Sequence, residues 1–110
     1  MIDNGTVTTL AGSSQGALDN ATGTSARFYY PWGITTDGTN LYVGDQNNHR
    51  IRKIVIDNGT VTTLAGSSLG FADNATGTLA KFNRPWGTIT TDGTNLYVSD
   101  TDNHRIRKIE

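Results

Sequence analysis

The two histidines of this 110-residue chain, His49 and His104, each follow an aspartate by four residues, Asp45 and Asp100. Each also opens a basic run, Arg50, Arg52 and Lys53 in one place and Arg105, Arg107 and Lys108 in the other. Imidazoles near carboxylates can hold a metal that activates water. Two histidines confined to one recurring motif read more simply as turn residues whose ring nitrogens bond backbone. Asp45 and Asp100 are expected to accept N–H bonds from the residues that follow them. A paired-carboxylate hydrolase needs two acids converging on one bond, and nothing in the spacing requires that. Residues 19–23, Asp-Asn-Ala-Thr-Gly, and their repeat at 73–77 lack the oxygen ladder and the closing bidentate acid of a calcium loop. They read as capped turns. No catalytic residue, metal or cofactor is therefore expected.

The basic runs could attract phosphate. With 9 basic against 10 acidic side chains the net charge is −1, so no general field draws the chain to nucleic acid or to an acidic membrane. The Arg and Lys stems are expected to lie on apolar neighbours with their heads in water. A second group of chemically capable residues is aromatic: Tyr29, Tyr30, Trp32 and Trp86, with Arg84 standing where the other copy has Tyr30. Such a set could grip a protein or carbohydrate ligand. The plainer reading of the two Trp is that their indoles wedge between neighbouring units and find a partner for N–H.

These residues sit on elements that recur. Residues 2–33 align on 56–87, and 34–54 on 89–109, with Thr88 the single insertion; 43 of 53 aligned positions are identical. The chain is two copies of one supersecondary unit, 2–55 and 56–110. The composition names the kind of unit. There are 18 Thr, 13 Gly and 10 Asn against one Glu and one Met, which favours strands and turns over helices. Without Cys there is no disulfide, thiolate site or Cys nucleophile. No stretch is long and apolar enough to span a bilayer, and no targeting segment is visible, so the chain reads as soluble.

Each copy reads as four strands. The first covers residues 6–10 (60–64 in the second copy) and follows Asp-Asn-Gly, where Asn-Gly favours a tight primed turn. A long connection, 11–31, carries Ala26 and Phe28 (Ala80 and Phe82) as a small hydrophobic anchor. The second strand is short, 33–36, and ends at an Asp-Gly turn. The third, Leu41-Tyr42-Val43, is apolar enough to be covered on both faces. The fourth runs over 49–56, with Ile51 and Ile54 on opposite faces. A four-stranded antiparallel meander covered on both faces by copies of itself is a propeller blade, so the fold class is all-β.

Asn48-His49-Arg50-Ile51-Arg52-Lys53-Ile54 after Leu41-Tyr42-Val43-Gly44-Asp45, and its recurrence at 103–109 after 96–100, resemble the signature of NHL repeats. Pro31-Trp32-Gly33-Ile34 and Val7-Thr8-Thr9-Leu10-Ala11-Gly12 resemble long bacterial members of that family. The resemblance implies β-propeller blades, most often six to a ring. The second strand would line the channel, and the first would form the outer edge of the preceding blade. Two blades are fewer than a ring, as in a piece of a longer propeller or an engineered unit.

With that strand order, Thr6, Val7, Thr8, Thr9 and Leu10 have no partner in their own copy, while Arg105, Ile106, Arg107, Lys108 and Ile109 present an open edge. Unpaired edges recruit strands. The expectation is a ring completed by homo-oligomerisation, in which the first strand of one chain pairs with the last of the next. Three chains would give six blades and four would give eight. All ten differences between the copies fall at one end of the blade, as variable loops on a fixed scaffold would. That end is the alternative functional surface, with Tyr29, Tyr30, Trp32, Arg84 and Trp86 as candidate contacts. The leading function is a non-catalytic self-assembling scaffold; a ligand-binding module and a metal-dependent propeller enzyme are the alternatives.

Overall fold

A computed structural model of the chain describes residues 2, 4–85 and 87–110. Seven strands form two antiparallel sheets, with four short 3-10 turns and no α-helix among the described residues. The first sheet takes β1 (Pro31–Thr36), β2 (Asn40–Asp45), β3 (Arg50–Val55) and β4 (Val61–Gly66) in sequence order. The second takes β5 (Ile89–Thr91), β6 (Leu96–Asp100) and β7 (Arg105–Ile109). β4 comes from the second copy yet closes the first blade by pairing with β3, as the resemblance implies. No helix is long and apolar enough to cross a membrane among the described residues.

Local chemistry explains the turns. Between β1 and β2, Asp37 Oδ1 accepts the N–H groups of Thr39 and Asn40 at 2.9 and 2.8 Å. Tyr42 donates its hydroxyl to the other oxygen at 2.8 Å. Asp92 and Tyr97 repeat the arrangement in the second blade. The β3–β4 connection differs from the primed turn expected of Asn-Gly. Gly59 is left-handed at φ 75° and donates to the Val55 carbonyl, while Asn58 keeps negative φ and caps Thr60 N–H at 3.0 Å. The loop is therefore four residues long, because Val55 N–H reaches the Thr60 carbonyl across residues 56–59.

β1 starts two residues before the expected strand and carries a bulge at Gly33, φ 68°. In the second copy the Thr88 insertion shortens the equivalent strand to three residues, and Ser99 N–H bonds the Thr88 carbonyl at 3.2 Å. That accounts for one difference between the copies. A Cβ at Gly44, the counterpart of Ser99, would stand 2.7 Å from the Trp32 carbonyl oxygen.

The core lies in and between the blades. Ala26, Val43, Ile54 and Val61 form one buried cluster; Ile51 and Ala65 of the first blade join Ala80, Phe82, Ile89 and Val98 of the second in the other. The residues expected to form a small anchor under the long connection are thus part of the main core. The connection is well tied: bridges join Gln15 to Phe28 and Leu18 to Arg27, and Ser13 Oγ donates to the Ala26 carbonyl at 2.9 Å.

Candidate functional site

One arginine of each basic run, Arg52 and Arg107, does not end in water. Arg52, expected to hold its head in solvent, is buried, and every donor it directs inward has an acceptor. Nη1 bonds Asp45 Oδ2 and the Arg27 carbonyl, both at 2.8 Å; Nη2 bonds the Leu18 carbonyl at 2.9 Å and Asp19 Oδ1 at 2.8 Å. Its guanidinium lies 4.7 Å from the centre of the Phe28 ring. Arg107 repeats the pattern with Asp100, Asp73 and the carbonyls of Lys81 and Ala72. The planar five-donor fork satisfies itself on two carboxylates and two carbonyls, which an ammonium could not do. The charge is spent on folding the long connection against the blade.

Asp45 also corrects an expectation. Its backbone N–H partner is Tyr29, at 2.7 Å and sixteen residues earlier, and Asn48 donates its side-chain amide to the other oxygen at 2.7 Å. The following turn takes no side-chain cap from it. Asp45 at φ −88°, ψ 82° directs its carboxylate back under the connection, so it organises the loop before the sheet. In residues 19–23 the turn is capped, by Asn20 Oδ1 on Thr22 N–H at 2.9 Å, while Asp19 turns to Arg52.

His49 does bond backbone, across the boundary between blades: its Nδ1 accepts the N–H of Arg84 at 3.0 Å. Burial, aided by the cations of Arg84 and Arg50, pushes its pKa below the ordinary imidazole value against the opposing pull of Asp100 and Asp102. Both histidines adopt left-handed backbone, φ 55° and 57°, as do Tyr30 and Arg84 at 54° and 50°. Such φ values are uncommon for side chains of this size. No three His, Asp or Glu side chains converge as a metal site would need among the described residues.

The candidate aromatic contacts share one end of the blade in part. Tyr29 and Tyr30 stack tilted with centroids 5.5 Å apart, and their carbonyls accept N–H bonds from Asn47 and Gln46, so the long connection and the turn before His49 meet there. Tyr30 is 66 % exposed and Trp32 49 %. Arg84 belongs to the second blade, its backbone on His49; Trp86 lies outside the described residues.

Two surfaces are left open among the described residues. Residues 6–10 are exposed and form no strand, whereas the identical stretch in the second copy is β4. The outer edge of β7 opens on a groove of about 920 Å³ lined by Phe71, Asp73, Phe82 and the strand itself. In the first blade, Phe28, Trp32, Ile34, Val43 and Ile54 line an apolar hollow of about 280 Å³. Ile34 is 60 % exposed there although its counterpart Ile89 is buried against the first blade. Ile34 and Ile89 are the same residue at matching positions of the two copies, and only Ile89 has another blade packed against it.

The comparisons agree with this architecture. The NHL repeat profile matches residues 28–54 and 82–109. NHL repeat-containing protein 2 of Bos taurus is 40% identical over 94 residues, covering 80% of this chain and 13% of that protein. The Homo sapiens protein of the same name is 38% identical over 94 residues. The chain thus spans a small part of these relatives. An auxiliary nutrient binding protein from Bacteroides ovatus superposes with a TM-score of 0.80 at 30% identity, over 92% of this chain and 28% of that one. A Bacteroides thetaiotaomicron protein of unknown function does so with the same score and identity, over 89% and 26%. Two meanders of the same order, each carrying the motif at its His turn and each matched by the repeat profile, place the chain in the NHL-repeat family.

Proposed function

We propose that this chain is a non-catalytic propeller scaffold that assembles with copies of itself into a closed ring. Residues 6–10 of one copy pair with Arg105–Ile109 of the next. One observation carries the reading. Val61–Gly66 lies antiparallel on Arg50–Val55, and residues 7–12 have the same sequence as that strand while β7 repeats the Arg-Ile-Arg-Lys-Ile of β3. The open edge therefore meets, in every copy, a segment whose fit the first blade already displays. Main-chain bonds supply the affinity in such strand addition, and alternating side chains supply the register. Three chains make a six-bladed ring and four an eight-bladed one. Multi-angle scattering on the purified chain is expected to give a trimer or tetramer, and deletion of residues 6–10 a monomer. A wild-type mass of one chain, or an unchanged ring after the deletion, would overturn the reading.

A second reading, a binding module for protein or carbohydrate, is favoured by the exposed Tyr30 held at φ 54° beside Tyr29. Likeness to a protein named as nutrient-binding points the same way. Glycan and peptide arrays probed with the wild type and with Tyr30→Ala test it: signal lost in the variant supports it, and no signal from either protein counts against it.

A further inference from the structure

The joint between the two blades of one chain has halves that recur, unmated, at the ends of the molecule. On the first blade the projecting half is Ile51, fully buried, with His49 beside it. The receiving half is Phe82, Ile89 and Val98 of the second blade together with the Arg84 N–H. The second blade presents the same projecting pair, Ile106 and His104, both exposed, Ile106 at 73 %. The first blade presents the same receiving set, Phe28, Ile34 and Val43 around the hollow, with Tyr30 in the place of Arg84.

We propose that a second copy mates these halves through a proton-sensitive clasp: Ile106 of one copy seats in the hollow of the next, and the neutral His104 Nδ1 accepts the next copy's Tyr30 N–H. This rests on the self-assembly reading and names its regulation. The occupant is a copy of this chain because the seating residues of both halves, His, Ile and the Phe-Ile-Val set, are the same as in a joint that already closes inside it. The two joints differ in charge. At the internal one His49 faces Arg84, Arg50, Asp100 and Asp102. At the joint between copies Tyr30 and Asn47 replace Arg84 and Asp102, leaving Arg105 and Asp45 as the charged neighbours. They also differ in fit. Ser99 stands where Gly44 stands, and a Cβ at Gly44 would approach the Pro85 carbonyl at 3.0 Å, so the Pro31 carbonyl of the next copy must give by a few tenths of an ångström.

The sign of the pH effect follows from the bond. A protonated Nδ1 donates and cannot accept, so the mated state excludes the imidazolium. The separated copies bind one more proton per joint, so association weakens as pH falls and an accepting imidazole takes up a proton, by up to about tenfold per pH unit per joint. Asn is the informative replacement. Its side-chain carbonyl can supply an acceptor close to Nδ1, it does not titrate, and it tolerates the left-handed backbone of this position.

The test is the solution mass of the full chain at pH 7.5 and pH 5.0. The wild type is expected to be a ring at the higher pH and to lose mass at the lower, whereas His104→Asn stays assembled at both. His49→Asn, which fixes the internal joint, is expected to dissociate as the wild type does. Ile106→Asp is expected to be monomeric at pH 7.5 with an unchanged far-ultraviolet circular dichroism spectrum. A wild-type ring that persists at pH 5.0, or identical pH profiles for wild type and His104→Asn, overturns the clasp and leaves strand pairing standing. A ring formed by Ile106→Asp overturns the seating. A wild type that is monomeric at pH 7.5 overturns the assembly reading and the clasp with it.

Discussion

Arg52 Nη1 lies 2.8 Å from Asp45 Oδ2, and neither side chain reaches solvent. The same contact, 2.7 Å between Arg107 and Asp100, recurs in the second blade. Burying both charges is costly, and the pair is tolerated because carbonyls and a second aspartate complete the coordination of the guanidinium. Each arginine thereby ties three separate segments, the connection, the sheet and the turn, to one point.

Removing the buried partner should be far more damaging than removing the exposed one. Asp45→Ala leaves the buried Arg52 with the half-exposed Asp19 as its one carboxylate, orphans a buried Nη1 donor and withdraws the acceptor of Tyr29 N–H, so a loss of about 3 kcal/mol is expected. In the separated chain Asp73→Ala removes an exposed carboxylate from Arg107, and a loss below about 1 kcal/mol is expected. Urea unfolding of both variants measures the difference. Equal losses would show that the sealed contact does not dominate.

The Asp-Gly turns should confer acid sensitivity. The backbone N–H groups of Asn40 and Thr39, with the Tyr42 hydroxyl, hold the Asp37 pKa at about 2. Asp92 is held at about 2 by Asn95, Thr94 and Tyr97. The folded value is below the unfolded value of 3.8, so the stabilisation is present above about pH 4 and is lost as pH falls toward 2. Both groups are exposed, so the effect is modest. Melting temperature recorded from pH 5 to pH 2 should fall less steeply for Asp37→Asn/Asp92→Asn than for the wild type, and parallel curves would contradict the assignment.

The blade was legible in the sequence because its signals are local and occur twice. The Asp-Gly turns, the apolar Leu41-Tyr42-Val43 and the offset of the repeat each specify neighbours within a few residues or a whole copy away. The burial of Arg52 was not legible, since strand alternation says which face a side chain occupies and nothing about what covers it. Its covers, Asp19 and the Leu18 and Arg27 carbonyls, come from a connection with no periodicity. Asp45 was misread for a related reason: aspartate before a turn ordinarily bonds forward, and here φ and ψ direct it to Tyr29. The four-residue loop at 56–59 shows that Asn-Gly marks a turn without fixing its length.

Where the copies differ, the Thr88 insertion makes one difference testable. A side chain at position 44 meets the Trp32 and Pro85 carbonyl oxygens at 2.7 and 3.0 Å, whereas Ser99 lies beside the lengthened loop and bonds it. Gly44→Ser is expected to destabilise by about 1–3 kcal/mol through overpacking. Ser99→Gly is expected to cost less than about 1 kcal/mol, from backbone entropy and the lost side chain. Thermal or urea unfolding distinguishes them. A tolerated Gly44→Ser would mean that the β1 bulge relaxes without an insertion.

Strand pairing between copies predicts one specific polar contact. In the first blade Asp19 Oδ2 accepts Thr63 N–H at 3.1 Å and Oδ1 accepts its hydroxyl at 3.1 Å, so the aspartate that grips the buried arginine also grips the outer strand. The counterparts are Asp73, exposed beside β7, and Thr9, exposed in residues 6–10. On mating, the Asp73 of one copy receives the Thr9 of the next. Thr9→Val removes the hydroxyl and keeps the shape and the backbone N–H, and a loss of about 1 kcal/mol per joint, roughly fivefold in association, is expected. Asp73→Ala should weaken assembly more, because the N–H acceptor goes as well. The double variant is then no weaker than Asp73→Ala alone, since the hydroxyl has lost its partner. Dilution series followed by light scattering give the three association constants. Additive losses in the double variant would show that Thr9 and Asp73 do not meet, and would move the exchanged strand to another register.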